Sequence, residues 1–370
     1  MTTGFSPASA QQGFDFERLA GNDRFETAAD IAIKTFGTAD TVLLATGVKF
    51  PDALTGNYLA GAIGDTPLLL TLPDAVPGVT RAALETLGAK NVIILGGTVA
   101  VSPAVEDDLN DDFAVERVGG TNRYETAEDV ANRAASGTVG MVDTGTVGMG
   151  DTGTVGMFEG LRTAVLGSGE AYPDVLAAGP LGYAAGFPIT ITFPNSLRPE
   201  TRRVLEDLDI QKVIIVGGTD AISAGVETEV ETLTGNDARR VSGPTRFDTA
   251  TAIANFAYDD LDFDASHVNL ARGDDAPAPS GLPQGFADAL TGGPHGGNDR
   301  SPIVLTNPNT LPAVTRTLLE ERCPSLLAGH IFGGDRAVSQ AVKDEATTAA
   351  SNCDAGTPAT GTSTMTVTPQ

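Results

Sequence analysis

Two sets of arginines recur at matching positions along the chain, and their spacing makes them the first candidates for chemistry. One set precedes an aromatic and an acidic residue, and the other follows a threonine: Arg24, Arg123 and Arg246, then Arg81, Arg202 and Arg316. A guanidinium group is planar, stays charged and donates paired hydrogen bonds to carboxylate or phosphate groups. Both sets are therefore candidate ligand-binding residues for an anion.

An aspartate recurs in the same way and offers the first set of arginines a different role. Asp52, Asp174 and Asp288 stand in blocks that read Phe-Pro-Asp-Ala-Leu, Tyr-Pro-Asp-Val-Leu and Phe-Ala-Asp-Ala-Leu. An arginine of the first set could pair with one of these aspartates and lock one part of the chain against another. For any single arginine we favour this ion pair over ligand binding.

The sequence gives little support for catalysis. Its histidines, His267, His295 and His330, all lie in the last third of the chain and lack the spacing of metal ligands. It contains no G-x-S-x-G elbow, no P-loop and no two-cysteine metal motif. We therefore predict a protein that is not an enzyme, with no cofactor and no metal site. An enzyme that uses the histidine-bearing third is the remaining alternative.

The recurring residues belong to a long repeat that occurs three times and opens with Arg-x-x-Gly-x-x-Arg-aromatic-acidic-Thr-Ala. The positions that define it, besides the aspartates, are Arg18, Arg117 and Arg240 at the opening, Glu26, Glu125 and Asp248 inside the motif, and Gly97, Gly218 and Gly334 in a closing Gly-Gly pair. A repeat of this length can bury a core of its own, so each copy should be a small domain.

Local patterns predict the elements of each copy. Short apolar runs such as Thr41 to Thr46 alternate with longer amphipathic segments such as Pro77 to Gly88, which is typical of βαβ units with mostly parallel strands. Asp23, Asn122 and Thr245 stand three residues before the acidic residue of the motif, which predicts reciprocal caps at a helix start. Ser102, Ser223 and Ser339 follow the Gly-Gly pairs and are predicted to cap the next helix.

Together these motifs resemble the cell wall-binding repeat 2 family, whose repeats combine the arginine motif, a Pro-Asp-Ala-Leu block, an apolar Leu-Leu-Thr strand and a Gly-Gly element. The resemblance covers Arg18 to about Val342. It implies Rossmann-like or Toprim-like α/β repeats, three of them packed around a pseudo-threefold axis. It also implies non-covalent attachment to an anionic cell-envelope polymer or surface layer.

The repeats differ in length, and the difference sets the predicted boundaries. We place an N-terminal tail at 1–17, repeat 1 at 18–116, repeat 2 at 117–239, repeat 3 at 240–353 and a Thr/Pro-rich tail at 354–370. Repeat 2 has an insertion at about 137–157 in which Gly-Thr-Val-Gly-Met recurs, and this predicts a flexible surface loop. Repeat 3 has an insertion at about 275–284, just before its aspartate block, so a ligand site there would differ from the others.

Charge indicates the environment in which the protein works. The formal net charge is −25, and arginine carries most of the positive charge. Such a surface is typical of adaptation to very high salt, where repulsion between carboxylates is screened, and an acidic protein of an ordinary cell is the alternative. Because no basic patch is present to neutralise phosphates, we predict no nucleic-acid binding.

Features near both ends predict an extracellular location at the cell surface. The sequence has no apolar stretch long enough to predict a membrane span. Ala8-Ser9-Ala10 resembles a signal-peptide cleavage site, and the Thr/Pro-rich tail resembles a stalk. In such a location Cys323 and Cys353 could form a disulfide, with a pair of buried free thiols as the alternative. The sequence leaves the oligomeric state open.

The leading functional prediction is a secreted, non-catalytic module that binds a surface polymer through three related sites with combined avidity. A structural or adhesive surface protein is the second hypothesis, in which the arginines only hold the repeats together. Arginines that line grooves would favour the first hypothesis, and arginines that are all used in contacts between repeats would favour the second.

Overall fold

A computed structural model describes residues 14–49, 51–136, 155–170, 173–274 and 287–353. Most of the insertion predicted at 137–157, the insertion at 275–284 and the Thr/Pro-rich tail lie outside the described residues. Val155 is buried and strand pairing begins at Met157, so the end of the predicted surface loop belongs to the fold. Phe14 and Phe16, which the prediction assigned to a tail, are also buried, because the chain already enters a sheet there.

Strands and helices alternate through all three repeats. Repeat 1 provides β1 (Phe16–Leu19), α1 (Arg24–Phe36), β2 (Thr41–Thr46), α2 (Pro51–Ile63), β3 (Leu68–Thr71), α3 (Gly78–Leu87), β4 (Asn91–Leu95) and α4 (Pro103–Asn110). Repeat 2 provides β5 (Ala114–Val118), α5 (Arg123–Ala135), β6 (Met157–Phe158), β7 (Leu161–Ser168), α6 (Pro173–Leu176), α7 (Gly179–Ala185), β8 (Ile189–Thr192), α8 (Pro199–Asp207), β9 (Lys212–Val216) and α9 (Ala224–Thr234). Repeat 3 provides β10 (Arg239–Val241), α10 (Arg246–Asp260), β11 (His267–Arg272), α11 (Ala287–Asn298), β12 (Ile303–Thr306), α12 (Ala313–Arg322), β13 (Ala328–Phe332) and α13 (Gln340–Ser351).

In the part of the chain that the structure describes, the strands form three sheets, and each sheet takes its last strand from the next repeat. The orders are β3-β2-β4-β5, β8-β7-β9-β10 and β12-β11-β13-β1, and all of these pairings are parallel. Strand β6 adds to the second sheet as the antiparallel neighbour of β7. The prediction of mostly parallel α/β repeats is confirmed. Because β1 pairs with β13, the first repeat completes the sheet of the last one.

The opening arginine of each repeat fastens this shared strand. Arg18, Arg117 and Arg240 donate hydrogen bonds at 2.6, 2.9 and 2.8 Å to the carbonyls of Gly333, Gly96 and Gly217, the first glycines of the Gly-Gly pairs in the preceding repeats. Each also forms an ion pair with an acidic residue of that repeat, as Arg117 does with Glu106 at 2.7 Å. The three repeats are joined covalently in sequence order. Backbone pairing between strands also joins each repeat to the next one, including repeat 3 to repeat 1.

One helix from each repeat meets the others at the centre of the assembly. Helices α2, α7 and α11 pack pairwise. The aspartates of repeats 1 and 3 lie in the first turns of α2 and α11, and α7 follows the short helix α6 that carries Asp174. Small residues allow the close approach: a Cβ atom at Gly293 would lie 2.1 Å from Oδ1 of Asn57. The aspartate blocks are thereby fixed at the junctions between repeats.

Helix starts agree only partly with the predicted caps. Thr245 and Asp248 form the reciprocal capping box, but Glu26 and Glu125 accept hydrogen bonds from the backbone of Asn22 and Thr121, one residue farther back than predicted. Asp23 and Asn122 still cap their own helices.

The serines that follow the Gly-Gly pairs also differ from one another. Ser223 and Ser339 accept hydrogen bonds from backbone amides of the helices that follow them. Ser102 makes no such bond, and its buried hydroxyl has no partner among the described residues, so the predicted cap is wrong at this position.

In repeat 3, Cys323 and Cys353 form a disulfide, the first of the two alternatives, and it ties the end of α12 to the chain after α13.

Candidate functional site

An arginine of one repeat faces an aspartate of the preceding repeat at each junction. Arg123 lies within electrostatic range of Asp52, Arg246 of Asp174, and Arg24 of Asp288. Each arginine also donates a hydrogen bond to the carbonyl that ends a strand of its own repeat, at Gly169, Gly273 and Gly47 respectively. The first set of arginines thus lies at the junctions, hydrogen-bonded within its own repeat and close to the aspartate of the preceding repeat.

A glycine with positive φ seats each aspartate against the backbone. Gly96 and Gly333 have φ of 101° and 102°, and a Cβ atom there would lie 2.5 and 2.3 Å from Oδ2 of Asp52 and Asp288. The sequence prediction chose the second glycine of each pair. A Cβ at Gly97 would lie 2.3 Å from the carbonyl oxygen of Gly120, and one at Gly334 would lie 3.5 Å from that of Gly21, whereas a Cβ at Gly218 would meet nothing within 4 Å. The first glycine thus packs against the aspartate, and the second is also constrained at the junction between repeats 1 and 2.

Burial changes the protonation of the junction aspartates. It raises the pKa of Asp52 to about 6, although the Thr126 hydroxyl, Arg123 and Lys49 favour the carboxylate. Burial also raises the pKa of Asp288 to about 6, against the attraction of Arg24 and Arg272. Ionising these carboxyls in the folded protein costs free energy because they are buried, and carboxyls with such raised pKa values often mark functional sites.

The junction between repeats 3 and 1 opens into a cleft of about 650 Å³. We call it the 3–1 cleft. Its walls are the turn before α1 (Gly21 to Asp23), the first turn of α1 (Arg24, Phe25 and Thr27), Arg272, the start of α11 (Ala287 and Asp288) and the loop Gly334 to Ala337. The cleft lies at the carboxyl ends of the parallel strands, where α/β sheets commonly bind ligands.

Three arginines line the 3–1 cleft, and two of them have no arginine counterpart in the other repeats. Arg272 stands where β2 and β7 end in Thr46 and Ser168, and it pairs with Asp274. Arg336 stands where repeats 1 and 2 have Val99 and Asp220. Arg336 is exposed and donates a 2.8 Å hydrogen bond to the carbonyl of Asn22, and no ion pair involves it among the described residues.

The second set of arginines lies elsewhere and is used within single repeats. Arg81 pairs with Asp108 and Asp112 at 2.6 and 2.7 Å, Arg202 pairs with Glu229, and Arg316 pairs with Glu345. These contacts join the last two helices of each repeat. The structure does not bring these arginines into the 3–1 cleft, so they form part of the scaffold of each repeat.

Sequence reasoning missed Arg272 and Arg336 because they do not recur. Comparing the repeats for shared residues identifies positions common to all three and misses an arginine that is present in only one repeat. The available signal was the opposite one: an arginine at a position that holds different residue types in the other copies.

A different polar cluster lies inside repeat 3. His295, Asp299 and His330 each offer a ligand atom, and these atoms all lie within 4.8 Å of one another. The prediction of no metal site considered only spacing along the chain, whereas the fold brings His295, near the end of α11, next to His330 on β13, 35 residues later.

Within the described ranges no helix is both long and apolar enough to cross a membrane.

Comparison with known proteins gives consistent matches along the chain. The model of a family described as Cell wall binding domain 2 (CWB2) matches residues 18–106, 117–227 and 240–343. N-acetylmuramoyl-L-alanine amidase LytC of Bacillus subtilis is 28% identical over 89% of this chain and 57% of its own length. The amidase enhancer of the same organism is 26% identical over 92% of this chain and 41% of its own length.

A solved structure agrees with the fold described above. Cwp8 from Clostridium difficile superimposes with a TM-score of 0.74 at 25% sequence identity, over 92% of this chain and 52% of that one. The chain thus spans about half the length of the relatives it matches.

Proposed function

The chain belongs to the Cell wall binding domain 2 (CWB2) family, and we propose that its repeats form a non-catalytic module that attaches non-covalently to an anionic polymer of the cell envelope. The observation that carries the proposal is the 3–1 cleft, about 650 Å³ in volume, in which arginines from two repeats meet. We also propose a pseudo-threefold arrangement, supported by the pairwise packing of α2, α7 and α11.

The arginines of the 3–1 cleft can overcome an unfavourable overall charge. At a formal net charge of −25 the molecule as a whole repels a polyanion, so attachment requires a local group of donors. Arg336 supplies an exposed guanidinium, while Arg24 and Arg272 stand deeper, beside Asp288. In strong salt the general repulsion is screened within a few ångströms, and short hydrogen bonds between guanidinium and phosphate or carboxylate persist.

We propose an extracellular site of action at the cell surface. The disulfide between Cys323 and Cys353 supports it, because such bonds persist in oxidising compartments. High-salt adaptation remains a proposal that rests on the charge alone.

A structural or adhesive block without a polymer site is the second candidate. The observation in its favour is that Arg81, Arg202 and Arg316 are engaged in ion pairs within their repeats. In that case the arginines of the 3–1 cleft would serve only to hold repeats 3 and 1 together.

Retention on isolated cell envelopes separates the two candidates. We would compare the full chain with Arg336→Val, which introduces the residue found at this position in repeat 1, at low and at multimolar salt. Arg239→Ala is the matched control, because Arg239 is also exposed but begins strand β10, at the end opposite to the junction. Soluble polyanions bearing phosphate or carboxylate groups serve as competitors.

For a polymer-binding module, we expect saturable retention that Arg336→Val weakens about tenfold, the loss of one charge-assisted contact. The Arg239→Ala variant should be retained like the unmodified chain. Retention that is absent at both salt concentrations, or that is unchanged in Arg336→Val, would overturn the polymer site at this cleft and favour the structural block.

A further inference from the structure

The polar cluster in repeat 3 has the geometry of a metal site. Nε2 of His295 lies 3.1 Å from Nδ1 of His330 and 3.5 Å from Oδ2 of Asp299. Two ligand atoms of a tetrahedral zinc ion, each about 2.0–2.1 Å from the metal, lie about 3.3 Å apart. These two distances are close to this value, and the ligand atoms of His330 and Asp299 lie within 4.8 Å of each other, so an inward movement of Asp299 or His330 would allow all three groups to share one ion.

The other repeats have apolar residues at the same positions. His330 corresponds through strand register to Ile93 and Ile214, and Asn269 beside it corresponds to Leu43 and Val165. Counted from the aspartate of each block, His295 corresponds to Leu59 and Leu181, and Asp299 to Ile63 and Ala185. Repeat 3 has thus exchanged a group of neighbouring apolar side chains for polar ones, and such burial is costly unless partners are gained.

Hydrogen bonding to Thr35 fixes the orientation of His295. The Thr35 hydroxyl donates to the carbonyl of Ile31 at 2.6 Å, so it can only accept at its 2.7 Å contact with Nδ1 of His295. Nδ1 therefore carries the proton, and the lone pair of neutral His295 is on Nε2, which faces His330 and Asp299. Metal-binding histidines commonly donate their other N–H in this way.

We propose that His295, Asp299 and His330 bind one divalent transition-metal ion of the Zn²⁺ class. Two imidazole nitrogens and one carboxylate oxygen suit such an ion and leave a coordination position for water. His295 is only 4% exposed, whereas Asp299 is 33% exposed in its side chain, so the open position faces the surface at Asp299. The ion would connect α11 and β13 of repeat 3, with Thr35 of repeat 1 as a supporting group.

Nearby charges are mixed. Glu17 is the register partner of His330 on β1 and favours a cation, whereas Lys34 opposes one but is paired with Asp30 at 3.0 Å.

Titration of the untagged full chain with Co²⁺ and Zn²⁺ tests the site, in excess Mg²⁺ so that sites made only of carboxylates are occupied. Co²⁺ reports nitrogen ligation through its visible absorption bands. The variants are His295→Leu and His330→Ile, which introduce the residues of repeat 1, and the partly exposed Asp299→Asn. His267→Gln is the matched control, since His267 pairs with Asp264 outside the cluster.

We expect one equivalent of Co²⁺ with strong visible bands, displacement by Zn²⁺ and a rise of Tm on adding Zn²⁺. His295→Leu and His330→Ile should abolish the bands and the Tm shift, and should melt higher than the unmodified chain without metal. Thr35→Val should weaken binding about tenfold, and His267→Gln should leave it unchanged. Absence of saturable binding, or binding that persists in the folded His295→Leu and His330→Ile variants, would overturn the proposal.

Discussion

Two junctions share one scaffold but differ in their cationic side chains: the junction between repeats 1 and 2, and the junction between repeats 3 and 1. In the first, Asp52 meets Arg123 and the hydroxyl of Thr126. In the second, Asp288 meets Arg24 and Arg272, and Arg336 stands at the rim of the cleft. The shared part holds the repeats together, and Arg272 and Arg336 add positive charge to the junction between repeats 3 and 1 alone.

The largest effect is expected where the shared scaffold is broken. Gly96→Ala and Gly333→Ala place a Cβ against the buried aspartate at a positive φ, so each should lower the free energy of unfolding by about 3 kcal/mol. Gly218→Ala is the control because its Cβ meets no atom within 4 Å. Denaturant unfolding measures all three. Equal small losses would contradict the role of the first glycine at both junctions.

Removing charge from the aspartates should affect both junctions in the same direction. Their folded pKa values of about 6 lie above the value of about 3.9 in an unfolded chain. The folded state therefore binds these protons more tightly, and the resulting stability is fully present below about pH 4 and is lost as the pH rises through 6.

We accordingly expect Asp52→Asn and Asp288→Asn to raise the free energy of unfolding at pH 7 by about 2 kcal/mol, and to flatten its decline between about pH 4 and 6. The exposed Asp74→Asn is the control. Thermal or chemical unfolding across this range provides the measurement. A variant that is less stable at pH 7 than the unmodified chain would show that the ion pair outweighs the cost of burial.

An arginine introduced at the junction between repeats 1 and 2 would make this junction resemble the one between repeats 3 and 1. Val99 is 88% exposed and occupies in repeat 1 the position of Arg336. Val99→Arg should therefore strengthen retention on cell envelopes about fivefold, a gain of about 1 kcal/mol. Val99→Leu controls for shape. Unchanged retention in Val99→Arg would mean that other features of the 3–1 cleft determine binding.

The smallest effect is expected for arginines outside the junctions. Arg81→Ala, Arg202→Ala and Arg316→Ala remove partly exposed ion pairs and should each cost at most about 1 kcal/mol of unfolding free energy. Their retention on envelopes should match that of the unmodified chain. Loss of retention in a folded variant of this set would move the binding site away from the 3–1 cleft.

Much of the fold was predictable because it depends on local and repeated patterns. Apolar runs such as Thr41 to Thr46 became buried parallel strands, and Gly88, where the predicted amphipathic segment ends, follows α3 in a left-handed conformation. Family membership was also predictable from the motifs and is confirmed. The caps were less accurate: Glu26 and Glu125 bond amides one residue before the predicted ones, and the Ser102 hydroxyl makes no capping hydrogen bond.

The candidate site was less predictable because its parts come from different repeats. The aspartates and the first set of arginines were found from their recurrence, but which arginine meets which aspartate was not. Arg272 and Arg336 occur in one copy only, and the cluster around His295 joins residues without spacing along the chain. Such combinations depend on how one repeat packs on another.

The sequence by itself determined the number of repeats, the parallel α/β architecture of each and the acidic surface. These features follow from residue types, periodicity and composition, which act over short stretches of chain. Only the tertiary structure decided that β1 completes the last sheet, so that Arg24 meets Asp288 and the 3–1 cleft exists. Strand pairing between residues more than 300 positions apart depends on the closing of the whole chain, and no local pattern encodes it.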